Sequence, residues 1–597
     1  MNLLTKTDFN AARACPTKLY YRKNGYPSAA EDNDFLETLK DLGYAIGAMA
    51  RLYFPEGILI ATPNNQTALE VTAQYMQREQ VTLFEAAFES HGKFARADIL
   101  VKNGAQLTLI EVKAASLDAN QGNPFRNKNG AISADGRKYL EDVAFQALVL
   151  SEIFPNHTIA CELMMVDKTR PVPMDNLPAW FQLQSGPDGI HVEFSGDAAQ
   201  VRAHPMLIRQ NVDAEIANLT PEIVPLLGGW VASLNPLTKL PSPLGFKKCK
   251  ECEYRLPEPS EKDGFRECWG AHADREPHIL DLYYGSQVRG MDELIASGAA
   301  SLADIPPDAL RDAKGNFGKR ATRQLRQINQ ALASEEWIDP ALGKKLAAFA
   351  YPLHFIDFET TTPALPFHSG MRPYQPIAFQ WSCHTLRAPG AAPEHTEWLN
   401  TEQVNPNVAF VLSLMQHLQR EGTVFMWAQH ENSILSQIKE NESELPPDAR
   451  DWLAWITDKR LVDMNQLAVE HYFHPRMKGS TSIKYVLDAL WQTRPTLRER
   501  FPAYVREENG QLLSPYKTLP SLALAGDELT VQKGTEAILA YQAMLYQSKD
   551  EQEKDQRKQQ LLAYCKLDTL AMVMIYWHWQ ETLQQVGLSP RLAESQP

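Results

Sequence analysis

Two places in this chain bring together residues that could hold a metal ion and activate water. In residues 96–113, Asp98 and Glu111 flank an Asn103-Gly104 pair that lies between two β-rich runs. Asn-Gly in that setting signals a hairpin with a two-residue type I′ turn. With that turn, Lys102 faces Ala105 and Asp98 falls opposite Leu109. Side chains alternate faces with period two, so Asp98, Leu109, Glu111 and Lys113 share one face. Asp98 and Glu111 are then diagonal neighbours, roughly 7–8 Å apart at the backbone. Two such carboxylates suit Mg²⁺ or Mn²⁺, and a lysine beside them can orient or activate a water. The same pattern also suits a surface hairpin whose polar face meets solvent. The second place is residues 354–361, which read as a buried strand carrying Asp357 and Glu359. Acids two positions apart on a strand point to one face, and on an apolar strand they are costly unless cations neutralise them. Near the other end, Tyr564 and Asp568 stand at i and i+4, stacked on one helical face.

The elements that must position these groups belong to an α/β, multidomain chain. It has 597 residues, 44% hydrophobic and 22% charged, with a formal charge of −14. These values exclude a disordered chain, a collagen-like repeat or a coiled-coil rod. The acidic balance leaves room for nucleic acid, which needs only a local basic groove. No uncharged run is long enough to span a bilayer, and the first residues lack the layout of a signal peptide. Seven cysteines, an odd number thinly spread, point to reduced thiols and a cytoplasmic location. Three stretches are expected. Residues 1–270 mix helices with strands at 97–102, 106–113 and 159–166. Residues 271–345 read as short helices broken by Gly and Pro, a helical connector. Residues 346–597 form a second α/β unit that opens on the strand 353–358.

The hairpin resembles the PD-(D/E)xK nuclease superfamily, with Asp98 as the aspartate and Glu111-Val112-Lys113 as the (D/E)xK element. Its RecB-like branch often carries an upstream acid, matched by Glu85, and a later glutamine, matched by Gln146 in the helix-like run 139–153. That branch usually has Tyr four residues after the glutamine, where this chain has Leu150. It also often has an early Gly-x-x-x-His helix, and the corresponding residues 43–51 contain no His. Cys15, with Cys249, Cys252 and Cys268 after the core, resembles the iron–sulfur staple of this branch, which includes CRISPR-associated exonucleases and the AddB helicase-nuclease subunit. The resemblance implies a 4Fe–4S cluster, and four thiolates would equally suit Zn²⁺. Cys161, Cys383 and Cys565, in apolar or helical contexts, read as packing residues.

Residues 354–361 resemble the opening motif of DnaQ-like, RNase H-fold 3′–5′ exonucleases, and Tyr564 and Asp568 match the Tyr-x-x-x-Asp element of the DEDDy subclass. There the aspartate holds metal and the tyrosine positions the attacking water. The family's middle motif is an Asp after a strand. Here Glu431 follows the strand 423–427 and is taken as the third acid, with Asp463 the competitor, which could instead cap a helix beginning at Asn465.

The whole chain is similar to a bacterial two-nuclease family. This implies a restriction-endonuclease-like domain with the cysteine cluster, a helical connector, and an RNase H-like exonuclease domain. The expected site residues are Asp98, Glu111, Lys113 and Gln146, then Asp357, Glu359, Glu431, Tyr564 and Asp568. The implied function is metal-dependent hydrolysis of nucleic acid, DNA in preference to RNA, with Mg²⁺ or Mn²⁺ and a helicase or other repair or defence partner. A scaffold with silent sites and an RNA-processing exonuclease are the alternatives. Within the connector, residues 291–306 resemble half of a helix–hairpin–helix. Residues 318–326 are the densest basic run, able to bind a phosphate backbone or to serve as a solvated helix face.

Overall fold

The computed structural model describes residues 2–30, 34–186, 189–258, 260–524, 527–548 and 550–585. The chain is mixed α/β and divides into two compact units. The first comprises Met1–Pro243, Cys252–Glu267 and Thr362–Gln375; the second comprises Leu244–Glu251, Cys268–Thr361 and Pro376–Pro597.

The first unit is built on a seven-stranded sheet of β1 (Leu4–Thr5), β2 (Ile58–Leu59), β3 (Gln80–Ser90), β4 (Lys93–Asn103), β5 (Gln106–Leu117), β6 (Thr158–Asp167) and β7 (Leu207–Asn211). Their spatial order is β2-β3-β4-β5-β6-β7, with β1 beside β4. Strands β3, β4 and β5 form an antiparallel meander, whereas β5 and β6 are parallel. A parallel pair needs a crossover, and the chain between them contains α3 (Ala134–Ile153), after α1 (Lys6–Ala14) and α2 (Asp34–Leu52). Apolar residues of both parities are buried on the central strands, as expected of a sheet covered on two faces. Leu100, Leu109 and Leu163 pack with Leu140, Val143 and Phe145 of α3. Ile99, Ile110 and Met164 pack with Ile46 and Met49 of α2.

The hairpin register departs from the expected one. Asn103 pairs with Gln106 and Leu100 with Leu109, so the turn is Gly104-Ala105 rather than Asn103-Gly104. Gly104 takes a φ of 57°, a left-handed conformation that glycine adopts without a Cβ clash. Both strands advance by one residue, which brings Asp98 level with Glu111 instead of Leu109. Because the two shifts are equal, face parity is kept and the carboxylates still share a side.

The second unit has a five-stranded sheet of β8 (Leu353–Thr361), β9 (Ile377–Leu386), β10 (Glu394–Leu399), β11 (Thr423–Met426) and β12 (Leu461–Asp463), in the order β10-β9-β8-β11-β12. The first three are antiparallel, and β8, β11 and β12 run parallel. Residues 271–345 fall inside this unit. The helix Met291–Ala296 is followed by a 3-10 turn at Leu302–Asp304, so no second α-helix completes a helix–hairpin–helix there. The basic run begins α4 (Lys319–Ala333). Later come α5 (His430–Asn441), α6 (Met464–His471), α7 (Ile483–Thr493) and α8 (Glu551–Gln585). Every residue of α8 from 567 to 576 is buried, as in a helix enclosed on all sides, and it packs against β8 and β9.

Candidate functional site

In the second unit, four acids from three elements converge. Asp357 and Glu359 project from β8, Glu431 from the first turn of α5, and Asp568 from α8. Glu359, Glu431 and Asp568 are buried and Asp357 is half-buried. Burial, and then repulsion from Asp568, Glu359 and Glu431, pushes the Asp357 carboxyl well above its ordinary range. Glu359 is raised well above its range by burial and by Asp568. Glu431 is pushed up to about 8, chiefly by burial, with Asp463 and Asp568 adding to it. Burial also raises Asp568, against Lys484 and hydrogen bonds from Tyr516 and Tyr564. Among the described residues, Lys484 is the ammonium that acts on both Glu359 and Asp568. An uncompensated cluster of this kind is costly in a dry interior, and divalent cations are the chemistry that offsets it. The donor set fits: hard oxygens suit Mg²⁺ or Mn²⁺, and the buried Glu431 Oε2 has no hydrogen-bond partner.

Three side chains that sequence reasoning did not place hold this cluster in shape. Tyr516 donates to Asp568 Oδ1 at 2.5 Å. Lys484 Nζ donates to Tyr564 Oη at 3.1 Å and lies over both tyrosine rings. Cys565, expected to be a packing residue, is buried but also directs its thiol at Asp357 Oδ2, 3.4 Å away. Lys484 and Tyr516 lie far from the acids in sequence and carry no spacing signal of their own.

Asp463 has a different job from Glu431. It is the N-cap of α6, accepting from Gln466 N at 3.0 Å, one residue earlier than the helix start expected at Asn465. It also accepts from Ala428 N at 3.1 Å and from the Gln429 side chain at 3.0 Å. Ala428 has a φ of 71°, a strained conformation for a residue with a Cβ. Asp463 therefore clamps the strained turn that aims Glu431, and its oxygens are already engaged.

In the first unit, the three acids lie on adjacent strands: Glu85 on β3, Asp98 on β4 and Glu111 on β5. Glu85 interrupts its strand with a φ of 56°. Here the chain supplies its own cations. Lys6, at the first turn of α1, meets Glu111 Oε1 at 2.7 Å, and Lys113 meets the same oxygen at 2.8 Å. Gln146 of α3 donates to Glu111 Oε2 at 2.5 Å, Lys113 also pairs with Asp142, and Val112 N donates to Asp98 Oδ2 at 2.7 Å. Burial opposes the Glu111 anion, but Lys6 and Lys113 outweigh it and hold the carboxyl below its ordinary range. Burial and Glu111 push Asp98 up to about 7. Both Glu111 oxygens are thus occupied by donors, and a metal would have to displace Lys6. The fit is poorer than in the second unit. Leu150, one turn beyond Gln146, is a core residue. Asp98 and Glu85 line a cleft of about 960 Å³ with Lys40, Tyr44 and Arg51 of α2 and Arg96 of β4.

No cysteine among the described residues is in a disulfide, and Cys15, Cys249, Cys252 and Cys268 are all half-buried. In the first unit, Cys15 lies between α1 and the helix Pro16–Lys23, and Cys15 and Cys252 both act on the Lys18 ammonium. Cys249, in the helix Phe246–Lys250, and Cys268, in Gly264–Trp269, belong to the second unit.

Residues 354–482 match a family model described as a domain of unknown function (DUF2779). The match takes in Asp357, Glu359, Glu431 and Asp463 and ends before Lys484, Tyr564 and Asp568. No curated protein matches the chain.

Proposed function

We propose that this protein is a metal-dependent nuclease whose hydrolytic centre is the four-acid cluster of the second unit. The observation that carries this reading is the convergence of Asp357, Glu359, Glu431 and Asp568 with Lys484 as the opposing charge. The strand order β10-β9-β8-β11-β12, three antiparallel strands followed by two parallel ones, supports an RNase H-like fold. It also matches the exonuclease motifs in type and order. Bound Mg²⁺ or Mn²⁺ would supply Lewis acidity at the phosphate and acidify a water. Asp357, Glu359, Glu431 and Asp568 would hold the ions. Tyr564, fixed by Lys484, would orient the water, and Tyr516 keeps one Asp568 oxygen turned in a set direction. DNA is the preferred substrate and RNA the alternative.

For the first unit, a restriction-endonuclease-like nuclease with Asp98, Glu111, Lys113 and Gln146 is the motif reading. The position of Lys6 favours a second one, in which this unit binds a strand in the Lys40–Arg51–Arg96 cleft without cutting it. The four cysteines would carry an iron–sulfur cluster or Zn²⁺. No helix among the described residues is long and apolar enough to cross a membrane. The reading is of a cytoplasmic nuclease working beside a helicase or other repair or defence partner.

The deciding experiment incubates end-labelled single-stranded DNA, duplex DNA and RNA with the full chain in Mg²⁺, Mn²⁺ or EDTA. Wild type should cut in metal and not in EDTA. Asp357→Ala should abolish cutting by the second unit, and any activity that survives it and disappears with Lys113→Ala belongs to the first. Independent sites should behave additively. Metal-supported cutting unchanged by Asp357→Ala would refute the proposed centre.

A further inference from the structure

The second unit contains a cavity of about 720 Å³ that none of the four acids lines, within the roughly 300–1,000 Å³ range of ligand clefts. One wall is α4, on which Arg320, Arg323 and Arg326 recur every three residues and so share a face. None of these guanidinium groups forms an ion pair among the described residues, although the protein carries a net charge of −14. Of the carboxylates that line the cavity, Glu470 takes Lys319 at 3.0 Å, and Asp339 takes His471 at 3.0 Å while also interacting electrostatically with Arg326. Arg320 is exposed and donates to Gln287. Arg323 is only 5% exposed, and while it donates to the Ala468 and Tyr472 carbonyls, its Nε has no partner. Leaving a buried guanidinium N–H unsatisfied is costly, and Arg323 adds a positive charge to this wall with no ion pair among the described residues.

Aromatic side chains also line the cavity. Tyr284 is 55% exposed, an unusual state for a large ring, and its backbone is held at a φ of 46°. It meets Tyr283 edge-on at 4.6 Å. Trp337 lies under Arg326 at 4.1 Å. An exposed ring beside guanidinium groups that lack ion pairs is the pairing that binds single strands: bases stack on the ring and phosphates sit on arginine. Backbone strain at an exposed aromatic is a further mark of a functional position.

We infer that this cavity is a strand-holding site, in which single-stranded nucleic acid places phosphates on Arg320 and Arg326 and stacks a base on Tyr284 or Trp337. The choice of polymer rests on the nuclease reading, but the binding does not require hydrolysis. It is therefore tested in EDTA, with the full chain and fluorescein-labelled oligo-dT read by anisotropy across a salt series. Replacing both Arg320 and Arg326 with Ala should weaken binding about tenfold and flatten the log–log salt slope by about 1.4, at about 0.7 for each lost phosphate contact on a single strand. Tyr284→Ala should weaken binding about fivefold or more with the salt slope kept, because stacking releases no counterions. An oligonucleotide carrying 5-iododeoxyuridine should photo-cross-link to Tyr284 or Trp337. All three variant residues lie outside the core, and unchanged melting temperatures would exclude misfolding. Wild-type affinity in all variants, cross-links mapping elsewhere, or displacement by micromolar thymidine monophosphate would overturn the inference. Binding without cutting by wild type would refute the nuclease reading and leave this site standing.

Discussion

Replacing Glu431 with Gln tests the proposed metal cage without measuring any catalysis. Glu431 is 2% exposed, and its carboxyl is raised from 4.5 to about 8 by burial and neighbouring acids. A carboxyl whose folded-state pKa is raised binds more protons in the native state than in the unfolded one. Its contribution to stability is therefore neutral below 4.5 and becomes a growing penalty as pH rises to about 8. At about 1.4 kcal/mol per pH unit, the penalty is about 3 kcal/mol at pH 7 and about 5 kcal/mol at pH 8. Gln keeps the shape and never ionises, but a buried amide without full partners costs about 1–2 kcal/mol. In EDTA, Glu431→Gln should then be less stable than wild type by about 1 kcal/mol at pH 5 and more stable by about 3 kcal/mol at pH 8. Saturating Mn²⁺ should reverse the order at pH 8, since the ion neutralises the wild-type cluster and has one ligand fewer in the variant. The assay is urea denaturation from pH 5 to 8, with hydrogen exchange in β8 and α8 peptides reporting the second unit alone. If the two proteins track each other across pH in EDTA, or Mn²⁺ stabilises them equally, the acids are not a desolvated cation-seeking cluster.

Four further outcomes follow from individual contacts. Asp463→Asn keeps a capping oxygen but loses the acceptor for Gln429, so it should cost about 1 kcal/mol in denaturation and slow exonuclease turnover far less than Glu431→Gln does. Lys6→Met should remove one of the two ammonium groups held on Glu111 Oε1, so that Mn²⁺ titrated into an Asp357→Asn background and followed by electron paramagnetic resonance binds the first unit more tightly than with Lys6 present. Purified anaerobically, the protein should be brown, with about four iron and four sulfide per chain if Cys15, Cys249, Cys252 and Cys268 hold one cubane; zinc without iron would refute the cluster. Burial opposes the Glu336 anion, but hydrogen bonds from His578 and Tyr472 and the charge of Arg494 hold it at about 2, so it contributes stability above pH 4.5 that is lost as pH falls through 2. Acid titration of wild type should show a loss of about 3 kcal/mol over that window, absent in Glu336→Gln.

How far the site could be read in advance depended on the sequence distance between its parts. Asp357 and Glu359, and Tyr564 and Asp568, are linked by the periods of one strand and one helix, and the structure places each pair on a common face. Glu431 stands out because acids collect where a strand leaves a sheet, and the Asp463 cap follows from local capping chemistry. The hairpin turn was misplaced by one residue because Asn-Gly competes with Gly-Ala for the left-handed position, and only pairing to the neighbouring strands decides it. Lys6, Asp142, Lys484 and Tyr516 escaped notice because their roles come from tertiary proximity, which leaves no periodicity behind. The same holds for the interleaving of the units: residues 252–267 and 362–375 join the first unit although second-unit segments flank each of them in sequence.

The two acidic clusters also show why a motif alone does not predict its occupant. Both put carboxylates side by side on neighbouring elements, and both pay desolvation for it. In the first unit, Lys6 and Lys113 stand within 2.8 Å of one Glu111 oxygen, and Glu111 remains ionised while Asp98 takes the shift. An ammonium that arrives from α1 performs the neutralisation a cation would perform, at no cost in assembly entropy beyond folding. In the second unit, Lys484 stabilises Asp568 and Glu359, yet all four acids are still displaced upward. Without an ion this cluster protonates or repels, and in the proposed centre a divalent ion would offset that cost. The shortage of opposing charge at the second site, where Lys484 faces four acids, is therefore more informative than either motif: it is what favours a divalent ion in the proposed centre, and what should make the stability of this unit, unlike that of its companion, depend on the metal in the buffer.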